Sequence, residues 1–143
     1  MEFIKALKTA AVKSKRRSGV KAYYSGGQVQ FSRLFGYQRV GDRYEPDPKF
    51  QKAITIIFER LAEGKSIPEI KAELDTLKAR DSSGNRYSHS RICGIAERSI
   101  YAGYLQQGLR LRKVENLTPI INLDLWRKAQ RQVRIEKKKM LGS

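Results

Sequence analysis

Apolar residues recur at the three- and four-residue spacing of amphipathic helices in five segments of the chain. The repeats are regular, for example at Ala53, Ile54, Ile57, Phe58 and Leu61. The pattern predicts helices over residues 2–16, 48–63, 66–78, 88–98 and from about 122 onward through 133.

Capping residues place the boundaries of these helices. Asp47-Pro48 combines an N-cap with a proline at the first helical position, and Gly64 is a C-cap for the same helix. Ser66 followed three residues later by Glu69 predicts a capping box. The remaining two helices are expected to begin after Ser88 and after either Asn122 or Asp124.

The segments between the helices carry turn and strand signals. Residues 15–27 are rich in glycine and basic residues, which predicts a flexible or extended linker. Residues 31–44 alternate weakly and fit either short strands or an irregular turn. Residues 101–114 are aromatic and β-branched with glycine breaks, which predicts a two-stranded ribbon. Three helices followed by a ribbon predict a mainly α fold with a small β component, of the winged helix-turn-helix type.

The net charge of the chain and its distribution indicate the kind of partner that it binds. The 143 residues carry a formal net charge of +16. Residues 1–30 and 127–143 each contribute +6, so two basic arms flank a centre of only +4. Lys and Arg near phosphates release condensed counterions, which favours a nucleic acid as partner. A solubilising tail or a solvated helix face is the plainer alternative.

Composition argues against several other classes. No apolar run approaches the roughly 20 residues of a membrane span, and no signal peptide is evident. We therefore expect a cytoplasmic protein associated with the nucleoid, with no membrane partner. One cysteine, Cys93, and one histidine, His89, exclude a disulfide framework and most metal or His-dependent sites. Ser14 and Ser18 lie in the predicted linker, which is poorly suited to hold a phosphate in line. We expect no catalytic residue, cofactor or metal in this chain.

Basic and small polar residues of the linker, the aromatic segment, the third helix and the tail are the candidate DNA contacts. The third helix, 88–98, would enter the major groove while 66–78 crosses the backbone, and the linker would follow the minor groove. Arg91 suits a bidentate base contact, and Cys93 suits the core. The candidates are Lys15, Arg16, Arg17, Lys21, Arg33, Arg39, Arg86, Ser88, His89, Ser90, Arg91, Arg98, Lys137 and Lys138.

Several short motifs, in this order and spacing, resemble the recombinase domain of large serine recombinases. They are Leu34-Phe35-Gly36-Tyr37, Gly64-Lys65-Ser66-Ile67, Gly84-Asn85-Arg86-Tyr87-Ser88, Arg91-Ile92-Cys93-Gly94-Ile95, Tyr101-Ala102-Gly103-Tyr104, Pro119-Ile120-Ile121 and Leu125-Trp126. The resemblance covers about residues 14–133. The sequence departs from the family pattern at Phe35, Tyr87 and Ser99-Ile100, where the family often has Tyr, Trp and Asn-Pro, respectively.

The resemblance implies a role in DNA recombination and integration by a mobile element or prophage. In this family a separate resolvase-type domain carries the nucleophilic serine, and a zinc-ribbon domain usually follows. Neither has a counterpart here, so we expect residues 1–30 to be a connecting helix end and basic linker, 31–133 the DNA-binding domain and 134–143 a basic tail. The chain would bind part of a double-stranded attachment half-site and would not itself be an enzyme. The parent protein would be a dimer that pairs into a tetramer at synapsis.

Two other functions remain open from the sequence. A stand-alone winged-helix repressor or excision factor would bind DNA as its whole role. A basic RNA-binding or ribosome-associated protein would need no helix suited to a duplex major groove.

Overall fold

The computed structural model describes residues 22–25, 27–31 and 33–142. Their secondary structure is three antiparallel hairpins and four α-helices, with a 3-10 helix at Ser99–Ala102. The strands are β1 (Ala22–Ser25), β2 (Gln28–Phe31), β3 (Tyr37–Val40), β4 (Arg43–Pro46), β5 (Tyr104–Gln107) and β6 (Arg110–Lys113). The helices are α1 (Pro48–Ala62), α2 (Ile67–Thr76), α3 (His89–Glu97) and α4 (Leu123–Gly142). The mainly α fold with a small β component is thus confirmed.

Local capping explains where the helices begin. The Asp47 carboxylate accepts a hydrogen bond from the Lys49 backbone N–H at 3.0 Å, ahead of α1. Both halves of the predicted capping box at Ser66 and Glu69 are present in α2. The Asn122 side chain accepts from Leu125 N–H at 2.8 Å, which makes Asn122 rather than Asp124 the cap of α4. Each of these signals acts within three residues, so the sequence alone predicts the caps at Asp47 and Ser66 and limits the cap of α4 to two candidates.

The predicted linker is corrected in its second half. Residues 22–25 form β1 and pair in register with β2, from Ala22 opposite Phe31 to Ser25 opposite Gln28. This hairpin is joined to the domain by buried Asn116, whose side chain accepts from Val29 N–H and donates to Val29 C=O, both at 2.8 Å. The contact spans 87 residues, so no local sequence pattern reveals it. The predicted helix 2–16 and the linker up to residue 21 lie outside the described residues.

The segment 31–44, which fitted strands or an irregular turn, contains a hairpin. β3 and β4 pair from Tyr37 opposite Pro46 to Val40 opposite Arg43. Buried Tyr37 donates its hydroxyl hydrogen bond to Thr118 C=O at 2.8 Å, and Tyr44 O–H accepts from Phe31 N–H at 3.0 Å. Phe31, Tyr37 and Tyr44 therefore belong to the core, whereas Phe35 is half-buried and packs against it.

One hydrophobic core joins the helices to the hairpins. Fully or nearly fully buried side chains from α1, α2 and α3 meet in it, and Ala129 and Val133 of α4 pack from the other side. The principal helical members are Ile54, Ile57, Phe58, Leu61, Ile70, Leu74, Ile92, Ile95 and Ala96. Because the apolar stripes of α1, α2, α3 and α4 face this core, the opposite faces of these helices are left for solvent or a partner.

The C-terminal half of α4 is attached to the start of α2 by a buried acid. Glu136 is 3% exposed, and its carboxylate accepts from Ile67 N–H at 2.7 Å. Gln132 and Lys139 contact the second carboxylate oxygen, both at 3.2 Å. An acid at the start of a helix satisfies a free N–H and interacts favourably with the helix dipole. Residues 134–142, predicted as a basic tail, are a continuation of α4 in the structure.

Candidate nucleic-acid interface

Helix α3 presents one apolar and one polar face. Ile92, Cys93, Ile95 and Ala96 are buried, as the sequence predicted. Ser88, Ser90 and Gly94 are exposed on the remaining surface. Ser88 caps the helix by accepting from Arg91 N–H at 3.1 Å, which fixes the helix start at the predicted position.

The polar face of α3 forms one wall of an open cleft with a volume of about 780 Å³. The β5–β6 hairpin supplies part of the other wall through Leu105 and Gln106. Four of the predicted site residues come together in this cleft: Ser88, Ser90, Arg91 and Arg98. A helix with a hairpin beside it is the arrangement of a winged helix-turn-helix, whose recognition helix enters the major groove.

Gly94 leaves the middle of this face without a side chain. A methyl group built at its Cα would meet nothing within 4 Å. The glycine is therefore not required by packing within the described residues. Its absence of a side chain lets another molecule approach the α3 backbone closely.

Arg91 enters the cleft across an aromatic ring. Its guanidinium carbon lies 4.6 Å from the centre of the Phe35 ring, a cation–π distance. Its Nε is buried without a hydrogen-bond partner. Among the described residues no carboxylate pairs with Arg91, so its charge is available to an anionic partner. Phe35, which sequence reasoning did not include in the site, is therefore a cleft residue.

His89 and Arg86 flank the start of α3. His89 is half-buried and its Nε2 has no hydrogen-bond partner among the described residues. Arg86 is exposed. Helix N-termini attract anions, so both positions are compatible with contact to a backbone phosphate.

The C-terminal end of α3 carries an acid that neutralises one predicted contact. Glu97 accepts from Lys137 Nζ at 2.9 Å and from the Cys93 thiol at 3.4 Å. The hydrogen bond to Glu97 raises the pKa of Lys137. Burial, and then the same carboxylate, raise the pKa of the Cys93 thiol, so this cysteine stays protonated. Lys137 thus links α4 to α3, a role its position in a basic run does not indicate.

Sequence reasoning missed the basic residues of the hairpin. Arg110 and Arg112 on β6 are exposed, and Leu109 at the tip is fully exposed. Their alternation with Leu111, inside a segment already predicted as a ribbon, was the signal available. They place further positive charge on the β5–β6 hairpin, beside the cleft.

Other predicted contacts lie away from the cleft or outside the described residues. Arg33 and Arg39 are exposed and do not line the cleft, and Arg39 donates to Gly41 C=O at 3.1 Å. Lys138 is exposed on α4 together with Arg127, Arg131 and Arg134. The residues outside are Lys15, Arg16, Arg17 and Lys21.

Neither a membrane-spanning helix nor a metal-ligating cluster occurs among the described residues. No helix among them is both long and apolar enough to cross a bilayer. Within the same ranges, His, Cys, Asp and Glu side chains form no group of three or more that could hold a metal ion.

Three helices, a hairpin after the third and a cleft between the two define the winged helix-turn-helix class. The chain belongs to the Recombinase family: the family model matches residues 48–136, more than half of the sequence. This confirms the resemblance deduced from the short motifs. No curated protein sequence matches the chain.

Two solved structures share the fold. One is described as the crystal structure of an LSR–DNA complex, LSR being a large serine recombinase; it has a TM-score of 0.59 and 19% identity. The match covers 75% of this chain and 32% of that one. The other concerns the sequence requirements of the Listeria innocua prophage attP site, with a TM-score of 0.60, 19% identity and coverage of 75% and 44%. This chain therefore spans less than half the length of either.

Proposed function

We propose that this chain binds double-stranded DNA with sequence preference, as the DNA-binding part of a serine site-specific recombinase. Helix α3 would lie in the major groove, and the β5–β6 hairpin would contact the adjacent backbone. The bound sequence would be part of one attachment half-site. DNA cleavage and rejoining would belong to another domain of the parent protein.

The observation that carries this proposal is the cleft between α3 and the hairpin. Arg91 and Arg98 both line it, and neither forms an ion pair with a carboxylate among the described residues. A buried or half-buried cation without a counter-ion is costly, which favours an anionic partner in the cleft. Arginine and serine on an exposed helix face are also side chains that hydrogen-bond to base edges.

Two further features support a duplex rather than a single strand. The cleft is bounded by a helix and a hairpin, elements that fit a major groove and its flanking phosphates. The aromatic rings nearest to it contact one another or Arg91, so they do not form an exposed stacking platform for unpaired bases. Membership of the Recombinase family and the likeness to an LSR–DNA complex agree with this choice.

The proposal is tested by selection followed by competition. The 143-residue chain is first used to select binding sequences from a random duplex DNA pool. The selected duplex then competes with a scrambled duplex and with double-stranded RNA of the same length at equal salt. We expect the selected duplex to win by at least about a thousandfold over the scrambled one if recognition is fully specific. Preference for RNA would exclude the proposal in favour of an RNA-binding protein.

A separate experiment tests whether the parent protein is a recombinase. Footprinting on the DNA that flanks the native gene would show a protected site if the chain recognises its own attachment sequence. Protection of a promoter instead would indicate a repressor.

A further inference from the structure

The Phe35 ring lies beneath the guanidinium of Arg91 at the edge of the cleft. The guanidinium carbon is 4.6 Å from the ring centre. The two residues are 56 positions apart, and both line the cleft. The contact therefore joins the segment before α1 to the face of α3 that is open to a partner.

Phe35 is itself held from several directions. Its ring packs against Phe50 at 4.9 Å and meets Tyr87 edge-on at 6.1 Å. Its backbone carbonyl accepts the Tyr101 hydroxyl at 2.9 Å. The next residue, Gly36, has φ of +92°, and a Cβ there would collide with Ile54. Two aromatic contacts to the ring and a constrained backbone make Phe35 a rigid support.

Apart from the Phe35 ring, few contacts orient the Arg91 side chain. Its Nε is buried without a partner, and no hydrogen bond or ion pair holds its guanidinium among the described residues. A free arginine side chain has many rotamers, and a bidentate contact needs only one of them. A flat ring that restricts the guanidinium lowers the loss of side-chain freedom on binding.

We propose that Phe35 is a positioning residue that sets the base specificity of Arg91. The ring holds the planar guanidinium so that its outer N–H groups face a base, and guanine is the base whose O6 and N7 match them. This inference rests on the proposed function. It goes further because it assigns part of the sequence preference to a residue outside the helix that reads the bases.

A double-mutant cycle tests the proposal in the complete chain. Phe35→Leu, Arg91→Ala and the double variant are measured for the ratio of affinities for the selected and scrambled duplexes. We expect Phe35→Leu to lower this ratio roughly 10-fold, because an unanchored arginine discriminates bases poorly. In the Arg91→Ala background the same substitution should change the ratio less than about twofold. Phe35→Tyr keeps the ring and should retain the wild-type ratio.

Phe31→Leu is the matched control, since it removes a ring from the core at β2, away from the cleft. It should leave the ratio unchanged. A Phe35→Leu effect of equal size with and without Arg91 would overturn the proposal, as would an unchanged ratio in Phe35→Leu.

A second measurement does not depend on DNA. In the free wild-type chain, the ring current of Phe35 should shift the Arg91 side-chain N–H resonance upfield, and the shift should vanish in Phe35→Leu. An unshifted resonance in the wild type would refute the positioning role while leaving the proposed function intact. Failure of the wild-type chain to prefer any duplex would instead remove both.

Discussion

At the level of single residues, the surroundings of Arg91 on α3 and Lys137 on α4 differ. Arg91 lies in the cleft without a counter-ion among the described residues, whereas Lys137 is paired with Glu97. Charge alone does not distinguish these two cations in the sequence. Their surroundings do, because one partner is an aromatic ring and the other a carboxylate.

Replacing Arg91 by Ala should reduce preference for the selected duplex by about 1–3 kcal/mol, the range expected for loss of a bidentate base contact. Lys138→Ala is the comparison, since Lys138 is exposed on α4 outside the cleft. It should weaken binding to all duplexes alike and lower the salt slope by about one. Equal losses on selected and scrambled duplexes for Arg91→Ala would contradict its role as a base reader.

Gly94→Ala should raise the stability of the domain and weaken its binding to DNA. Alanine is favoured over glycine in a helix by about 0.5–1 kcal/mol, and there is free space at this position, so thermal unfolding should occur at a higher temperature. If the α3 backbone approaches DNA closely, the added methyl group should also weaken binding to the selected duplex. Stronger or unchanged binding, measured by titration, would show that the middle of α3 does not touch the duplex.

At the scale of elements, the attachment of α4 to α2 depends on one buried carboxylate. Burial raises the pKa of Glu136, but hydrogen bonds from Ile67, Lys139 and Gln132 outweigh this, and the net pKa lies below its ordinary value of 4.5. A carboxylate whose pKa is lowered by folding stabilises the protein above the unfolded pKa and ceases to do so as the pH falls through the folded one. The attachment is therefore sensitive to acid.

Glu136→Ala should lower the free energy of unfolding by about 1–3 kcal/mol at pH 7, because the Ile67 N–H loses its acceptor. The difference from wild type should shrink as the pH is lowered below about 4.5. Denaturant unfolding at pH 7 and pH 3.5 measures both quantities. Glu59→Ala, on the exposed side of α1, is the control and should change little. A difference that grows at low pH would contradict this assignment.

We propose that the β5–β6 hairpin contributes positive charge to DNA binding rather than base recognition. Arg110 and Arg112 are exposed on it, next to the cleft. Replacing both by Ala should weaken binding to selected and scrambled duplexes alike, and reduce the salt slope by about two. Affinity measured across a salt series checks this. An unchanged slope would show that the hairpin does not contact phosphate.

At the scale of the whole molecule, the sequence predicts local features well and distant contacts poorly. The caps at Asp47, Ser66 and Ser88 act within three residues, and the apolar stripes follow one helix at a time, so both could be predicted. Two long-range contacts could not be predicted. Phe35 meets Arg91 across 56 residues, and Glu136 meets Ile67 across 69 residues. Such contacts depend on how the elements pack, and nothing in the local pattern encodes them.

The structure also shows where part of the net charge of +16 lies. Much of the C-terminal share is carried on α4, which is a helix to Gly142 and is anchored to α2 and α3. These cations are therefore held on a folded surface, where they can follow a duplex backbone at fixed positions. We propose that a helix held in this way adds affinity for DNA without sequence preference.

We propose that α3 enters the major groove of a specific duplex. Methylation interference on the selected duplex tests it most directly, because guanine N7 lies in the major groove and adenine N3 in the minor groove. We expect methylation at N7 of at least one guanine to block binding by the wild-type chain, and we expect this interference to disappear in Arg91→Ala. Interference confined to adenine N3, or none at any guanine, would contradict it.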